Sequence, residues 1–162
     1  MDRDNALRSH LISLIEGGNA HMTITEAVKD FPEEGINAAF PNGTYSPWHL
    51  LEHMRLAQWD ILDFIKNPDY KEREWPKDYW PSPTAKATRK DWDGTIRKLD
   101  SDSAELKKIV KDPKTDLYAK LPNGTGQTIL REILVVSDHN AYHLGEFAIL
   151  RQVMGTWGKG HR

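Results

Sequence analysis

The chain has 162 residues, of which 38% are hydrophobic and 28% charged, and its formal net charge is -2. This composition predicts one globular domain over residues 1–162, and the lack of a basic run argues against nucleic acid as a partner. There is no cysteine, which excludes disulfides, thiolate ligands and cysteine nucleophiles. No segment has the apolar length of a membrane span or the pattern of a signal peptide, so we expect a cytoplasmic protein without a membrane partner.

The first part of the chain predicts one long helix and one short one. Apolar residues recur with helical periodicity over about 4–16, and Gly17–Gly18 follows as a pair typical of a helix C-terminus. A short helix is expected next, because Thr23 and Glu26 have the spacing of a capping box and Pro32 ends the segment.

The rest of the chain predicts three more long helices. The second begins at Ser46-Pro47, a favourable pair for a helix start, and ends near Asn67. Residues 67–84 contain four prolines and no helical periodicity, which indicates a long crossover. Apolar stripes predict a third helix over 85–111 and a fourth, expected to be the most buried, over 128–154. The fold class is therefore predicted as all-α, a four-helix bundle with its long crossover between the second and third long helices.

Two histidine pairs have metal-binding spacing. His139 and His143 are four residues apart in the fourth helix, and His49 and His53 are four apart in the second, so each pair shares a helix face. His139 and His143 can reach one ion, and His53 would add a third imidazole from across the bundle. Three imidazoles leave a coordination position open, as in catalytic sites. We therefore predict a divalent metal site, with Zn, Ni and Fe all compatible; the alternative is that these histidines are separate polar residues bonded to backbone or water.

Several neighbouring residues have more than one reasonable role. His49 is a candidate fourth ligand, a hydrogen-bond donor to one of the ligand side chains, or a surface residue. Glu132 and Glu146 share a face with the fourth-helix pair, where they would either orient ligand nitrogens or be solvated carboxylates. Trp75 and Trp80 of the crossover would cover the pocket, contact another subunit or pack on their own bundle.

The two histidine-bearing segments also resemble a known family. Residues 46–53, SPWHLLEH, and residues 137–145, SDHNAYHLG, resemble the DinB-like superfamily, and the likeness covers essentially the whole chain. The resemblance implies an up-down-down-up order of the helices and a divalent metal on three histidines, which map to His53, His139 and His143. It also implies a homodimer, because many members form dimers. One departure is Glu146, where the family pattern more often has glutamine.

The members with known activity resemble thiol-dependent transferases or isomerases, and others are described as metal-dependent hydrolases. Our leading hypothesis is an enzyme whose three-histidine site activates water or a low-molecular-weight thiol for attack on a small electrophilic substrate. Because the chain has no cysteine, the sulfur of a thiol reaction would come from a cosubstrate. The alternatives are a metal-dependent hydrolase and a non-catalytic, stress-associated dimeric scaffold. No general base is assigned.

Overall fold

The computed structural model describes residues 2–39 and 42–158. Within these ranges there is no strand, only an isolated bridge between Lys120 and Thr128. A single turn of 3-10 helix covers Glu33–Gly35, and the α-helices are α1 (Arg3–Glu16), α2 (Ile24–Val28), α3 (Pro47–Lys66), α4 (Arg89–Lys111) and α5 (Ile129–Val153). The all-α class is therefore confirmed. None of these helices is long and apolar enough to cross a membrane.

Side-chain caps mark the starts of α2, α3, α4 and α5. Thr23 and Glu26 form the expected capping box at the start of α2. Thr88 and Asp91 form another one, in which the Thr88 hydroxyl accepts from the Asp91 amide and the Asp91 carboxylate accepts from the Thr88 amide. This second box starts α4 at Arg89, four residues later than the apolar stripe had predicted, because the cap satisfies amides that have no partner inside the helix.

The four long helices pack around a shared interior. Both α3 and α1 pack on α4 and α5, while α2 packs on α5. One core cluster surrounds Trp92, which stacks on Phe31 with ring centroids 4.7 Å apart, and a second cluster includes Leu11, Leu106 and Ile133. The up-down-down-up order of the helices stays a prediction.

The expectation that the fourth helix is the most buried is wrong. Ten of the 20 residues of α3 are buried, against seven of the 25 residues of α5. The apolar residues of α5 lie on most of its sides. Several of them are exposed, including Leu134, Tyr142, Ile149 and Val153. A helix that is apolar on all sides does not indicate from its sequence which side the neighbouring helices will cover.

The crossover after α3 is held against that helix by a buried carboxylate. Asp60 is 7% exposed and accepts hydrogen bonds from the hydroxyls of Tyr70 and Tyr79, with the shortest distance 2.6 Å to Tyr79. Burial and the Asp60 charge raise the pKa of Tyr70 to about 12, and burial with the Asp60 bond also raises that of Tyr79, so both phenols remain donors. The crossover is thereby placed beside the middle of α3, where His53 lies.

Candidate metal centre

Helices α3 and α5 bring three histidines together. The Nε2 atom of His53 lies 3.2 Å from the Nε2 atom of His139 and 3.2 Å from that of His143. A tetrahedral ion with nitrogen ligands at about 2.0–2.1 Å would hold two such nitrogens about 3.3 Å apart. Two of the three nitrogen pairs therefore have the spacing of a metal site, and the candidate ligand atoms of all three side chains lie within 4.8 Å of one another.

The other ring nitrogens show which atoms carry hydrogen. His53 Nδ1 lies 2.8 Å from the Tyr79 carbonyl oxygen, and His143 Nδ1 lies 2.7 Å from the Glu146 carboxylate. Both oxygens are acceptors, so both Nδ1 atoms donate and both Nε2 atoms of the neutral rings present lone pairs. Two lone pairs that face each other at 3.2 Å repel unless a cation lies between them. Three neutral imidazoles are also a donor set that suits a first-row divalent ion.

Burial keeps the cluster uncharged near neutral pH. Desolvation, with a smaller contribution from neighbouring histidine charge, lowers the pKa of His139 and of His143 to about 4. Burial also lowers the pKa of His53, although the bond to the Tyr79 carbonyl opposes the shift. The neutral imidazole is the form that binds metal ions, so the environment of the cluster favours binding at neutral pH.

These shifts predict how the metal-free protein responds to acid. Unfolded histidines have a pKa near 6.5, whereas His139 and His143 in the folded protein have values of about 4. The unfolded chain therefore binds more protons than the folded protein between these values, and the lowered pKa of His53 adds to the difference. Full stability is therefore kept above pH about 6.5 and is lost as the pH falls toward 4, by roughly 1 kcal/mol per pH unit for each histidine that stays neutral only in the folded protein.

Urea unfolding of metal-free protein across this pH range measures the slope. His139→Asn removes one of these histidines and should make the slope shallower. An equally steep slope in this variant would show that the acid response arises at other residues.

Aromatic side chains cover one side of the cluster. The Trp80 ring stacks on the His53 ring with centroids 3.9 Å apart and an angle of 4° between the planes. Trp75 meets the edge of the same imidazole at 6.2 Å and is 67% exposed, so it lies at the rim. The Tyr45 ring packs 5.3 Å from Trp80. Trp80 therefore covers the histidine cluster, which is one of the roles considered for the crossover tryptophans.

His49 lies outside the cluster, and both of its ring nitrogens have other partners. Its Nδ1 atom is 2.7 Å from the Ser46 hydroxyl, and its Nε2 atom is 2.9 Å from the Ser82 carbonyl oxygen. The ring occupies the third position of the capping box that starts α3. His49 is therefore not placed as a fourth ligand, and it instead joins the start of the helix to the crossover.

The two glutamates considered from the sequence have different surroundings. Glu146 contacts the cluster, because its carboxylate bonds His143 Nδ1 and accepts a hydrogen bond from the Tyr45 hydroxyl. Burial raises the pKa of Glu146. Glu132 is 3% exposed, but it pairs with Arg131 at 2.6 Å and is absent from the cluster. The Tyr79 carbonyl and Tyr45 are the participants that the sequence did not indicate.

The same residues lie within a family match. The model of the DinB superfamily matches residues 19–147, a range that includes His53, His139 and His143. No match was found among the curated proteins, and none among the solved structures. The family match covers most of the chain and agrees with the likeness of the two histidine-bearing segments, so the chain belongs to the DinB superfamily.

Proposed function

We propose that this protein is a metal-dependent enzyme in which His53, His139 and His143 bind one divalent ion. The observation that carries the proposal is the meeting of three Nε2 atoms, with His53 and His143 each oriented through a hydrogen bond at Nδ1. A bound divalent ion would supply Lewis-acid chemistry and would lower the pKa of a coordinated water or low-molecular-weight thiol. The second reactant would be a small electrophilic molecule.

The chain's own residues prepare the site for this role. The Tyr79 carbonyl and the stacked Trp80 ring hold His53 in one orientation, and Trp80 excludes water from that side. On α5, Glu146 holds His143 through the hydrogen bond at Nδ1. Hydrogen bonds of this kind fix the ring orientation and increase the basicity of the nitrogen that faces the ion. In the proposal, the four long helices have the up-down-down-up order of the family, with the ligands on α3 and α5.

The position of His49 supports an enzyme over a closed structural site. Structural zinc sites are almost always closed by four protein ligands, whereas catalytic sites keep a position for water or substrate. With His49 bonded to Ser46 and Ser82, the described cluster offers three nitrogens. The hydrolase and the stress-associated scaffold are the alternative functions, and the homodimer and the cytoplasmic location stay predictions.

Substrate screening distinguishes these functions. Zinc-, nickel- or iron-loaded protein would be tested with low-molecular-weight thiols paired with alkyl halides or epoxides, and separately with aryl esters and anilides without thiol. We expect consumption of the electrophile that requires both metal and thiol and that His139→Asn abolishes. Turnover of esters or anilides alone would support the hydrolase instead. No turnover with either set would favour the scaffold.

Glu146→Ala is expected to weaken metal binding about 10–100-fold, because it removes the acceptor that holds His143 Nδ1. Competition with a chromophoric chelator measures the affinity. Glu105→Ala is the matched control, since Glu105 pairs with Lys66 and Lys108 on the surface of α4. If the two variants bind metal equally well, Glu146 does not support the site.

A further inference from the structure

A groove with a volume of about 460 Å³ runs along the C-terminal half of α5. Its apolar lining includes Tyr142, Ile149 and Val153, which share one face of the helix and are 72%, 65% and 57% exposed. Tyr45 and Glu146 supply the polar atoms of the lining. Small-molecule sites are concave, have volumes of about 300–1,000 Å³, and combine mostly apolar walls with a few polar groups. The groove has this size and this chemistry.

Two side chains that line the groove also contact His143 of the histidine cluster. Glu146 lines the groove, and its carboxylate lies 2.7 Å from His143 Nδ1. Tyr142 also lines the groove, and its ring meets the His143 ring edge-on with centroids 4.9 Å apart and an angle of 87°. A molecule lying in the groove is therefore adjacent to the side chains that contact a proposed metal ligand.

Gly145 lines the groove without contributing a side chain. Glycine is among the least favourable residues in a helix interior, and this one lies in the middle of α5. No positive φ requires it, and beyond its chain neighbours and the backbone of its own helix no described atom lies within 4 Å of a Cβ added there. Neither a turn nor close packing explains the glycine. The missing side chain does leave room for a ligand along the helix.

We propose that this groove binds the apolar arm, an alkyl or aryl group, of the small molecule that reacts at the metal centre; the inference rests on the proposed function. The wall includes the part-buried carboxylate of Glu146, which is already bonded to His143 and Tyr45. Charged residues are depleted in the cores of protein interfaces, whereas a few polar groups beside an apolar wall are usual in ligand sites. This favours a small molecule over a second copy of the chain as the occupant.

A series of alkyl hydroxamates of increasing chain length tests the groove and the metal separately. The headgroup chelates divalent metal, so acetohydroxamate reports on the ion, while butano-, hexano- and octanohydroxamate add the apolar arm. Calorimetry on zinc-loaded wild type should show affinity rising roughly two- to fourfold per methylene. Gly145→Leu, which fills the groove, and Ile149→Ser, which removes apolar wall, should flatten the rise and leave acetohydroxamate binding unchanged. Leu134→Ser is the control, because Leu134 is 46% exposed on α5 but does not line the groove.

Each other outcome overturns a defined part of the inference. If acetohydroxamate binds but the affinity does not rise with alkyl chain length, the groove proposal is overturned and the metal site stands. An equal gain in affinity with chain length in wild type and in Gly145→Leu also overturns the groove. Failure of every hydroxamate to bind contradicts the proposed function, and the groove proposal falls with it. The groove belongs to a second copy of the chain if light scattering shows a wild-type dimer that Ile149→Ser dissociates and the hydroxamate affinity does not change with chain length.

Discussion

Loading the protein with zinc should raise its melting temperature by about 8–16 °C when free zinc is 1,000 times the dissociation constant. An ion that binds only the folded state adds about 4.1 kcal/mol to the free energy of unfolding under that condition. For a domain of this size, each kcal/mol corresponds to about 2–4 °C. The stabilisation arises because the ion would join α3 to α5 through residues 86 and 90 positions apart in the sequence. Chelation should reverse it.

Variants of the cluster identify where the stabilising ion binds. His53→Asn and His143→Asn should lose nearly all of the zinc-dependent increase in melting temperature. His21→Asn should keep it, because His21 is exposed and its ring bonds the Met22 carbonyl oxygen. Calorimetric melting curves with zinc and with chelator provide the comparison. An equal response in all three variants would place the ion elsewhere.

Arg151→Met is expected to lower the free energy of unfolding by about 3–5 kcal/mol. Arg151 is 1% exposed, and its guanidinium donates to the carbonyl oxygens of Ala27, Lys29 and Thr156. Its charge also lies 4.0 Å from the centre of the Trp157 ring. Methionine has similar length but no donors, so it would leave the three carbonyl groups without this donor where α2 and α5 end.

Urea unfolding of Arg151→Met measures this loss directly. Arg97→Met is the matched control, because Arg97 is exposed on α4 and the same change there should cost less than about 0.5 kcal/mol. A loss below about 1 kcal/mol for Arg151→Met would show that the three carbonyl bonds contribute little net stability.

The three-histidine cluster could be predicted because its signal is local and chemical. His139 and His143 share a helix face at a spacing of four, His53 was expected as the third ligand from across the bundle, and the likeness of residues 46–53 to the family agrees with it. The spacing alone could not separate His53 from His49, since both lie on the same face of α3. A signal for His49 was present, however. It follows Ser46 by three residues, and in a capping box the side chain at this position accepts a hydrogen bond from the backbone amide of the first residue.

The surroundings of the cluster were harder to predict. The bond from His53 ends on the main-chain carbonyl of Tyr79, and a carbonyl leaves no mark in the sequence. Its position depends on Asp60, which draws two tyrosine hydroxyls of the crossover onto α3. The exposed face of α5 was missed for a related reason. Its composition indicated burial, but only tertiary packing decides which apolar side chains the other helices cover.

Metal stoichiometry of the untagged protein tests the central claim most directly. Wild type and the variants His53→Asn, His139→Asn and His143→Asn would be dialysed against zinc, nickel or iron and then analysed for bound metal, with circular dichroism confirming that each is folded. We predict about one ion per chain in wild type and in the His21→Asn control, and almost none in the three cluster variants. Retention of about one ion per chain in any cluster variant, or metal-free wild type after loading, would contradict a metal site on His53, His139 and His143.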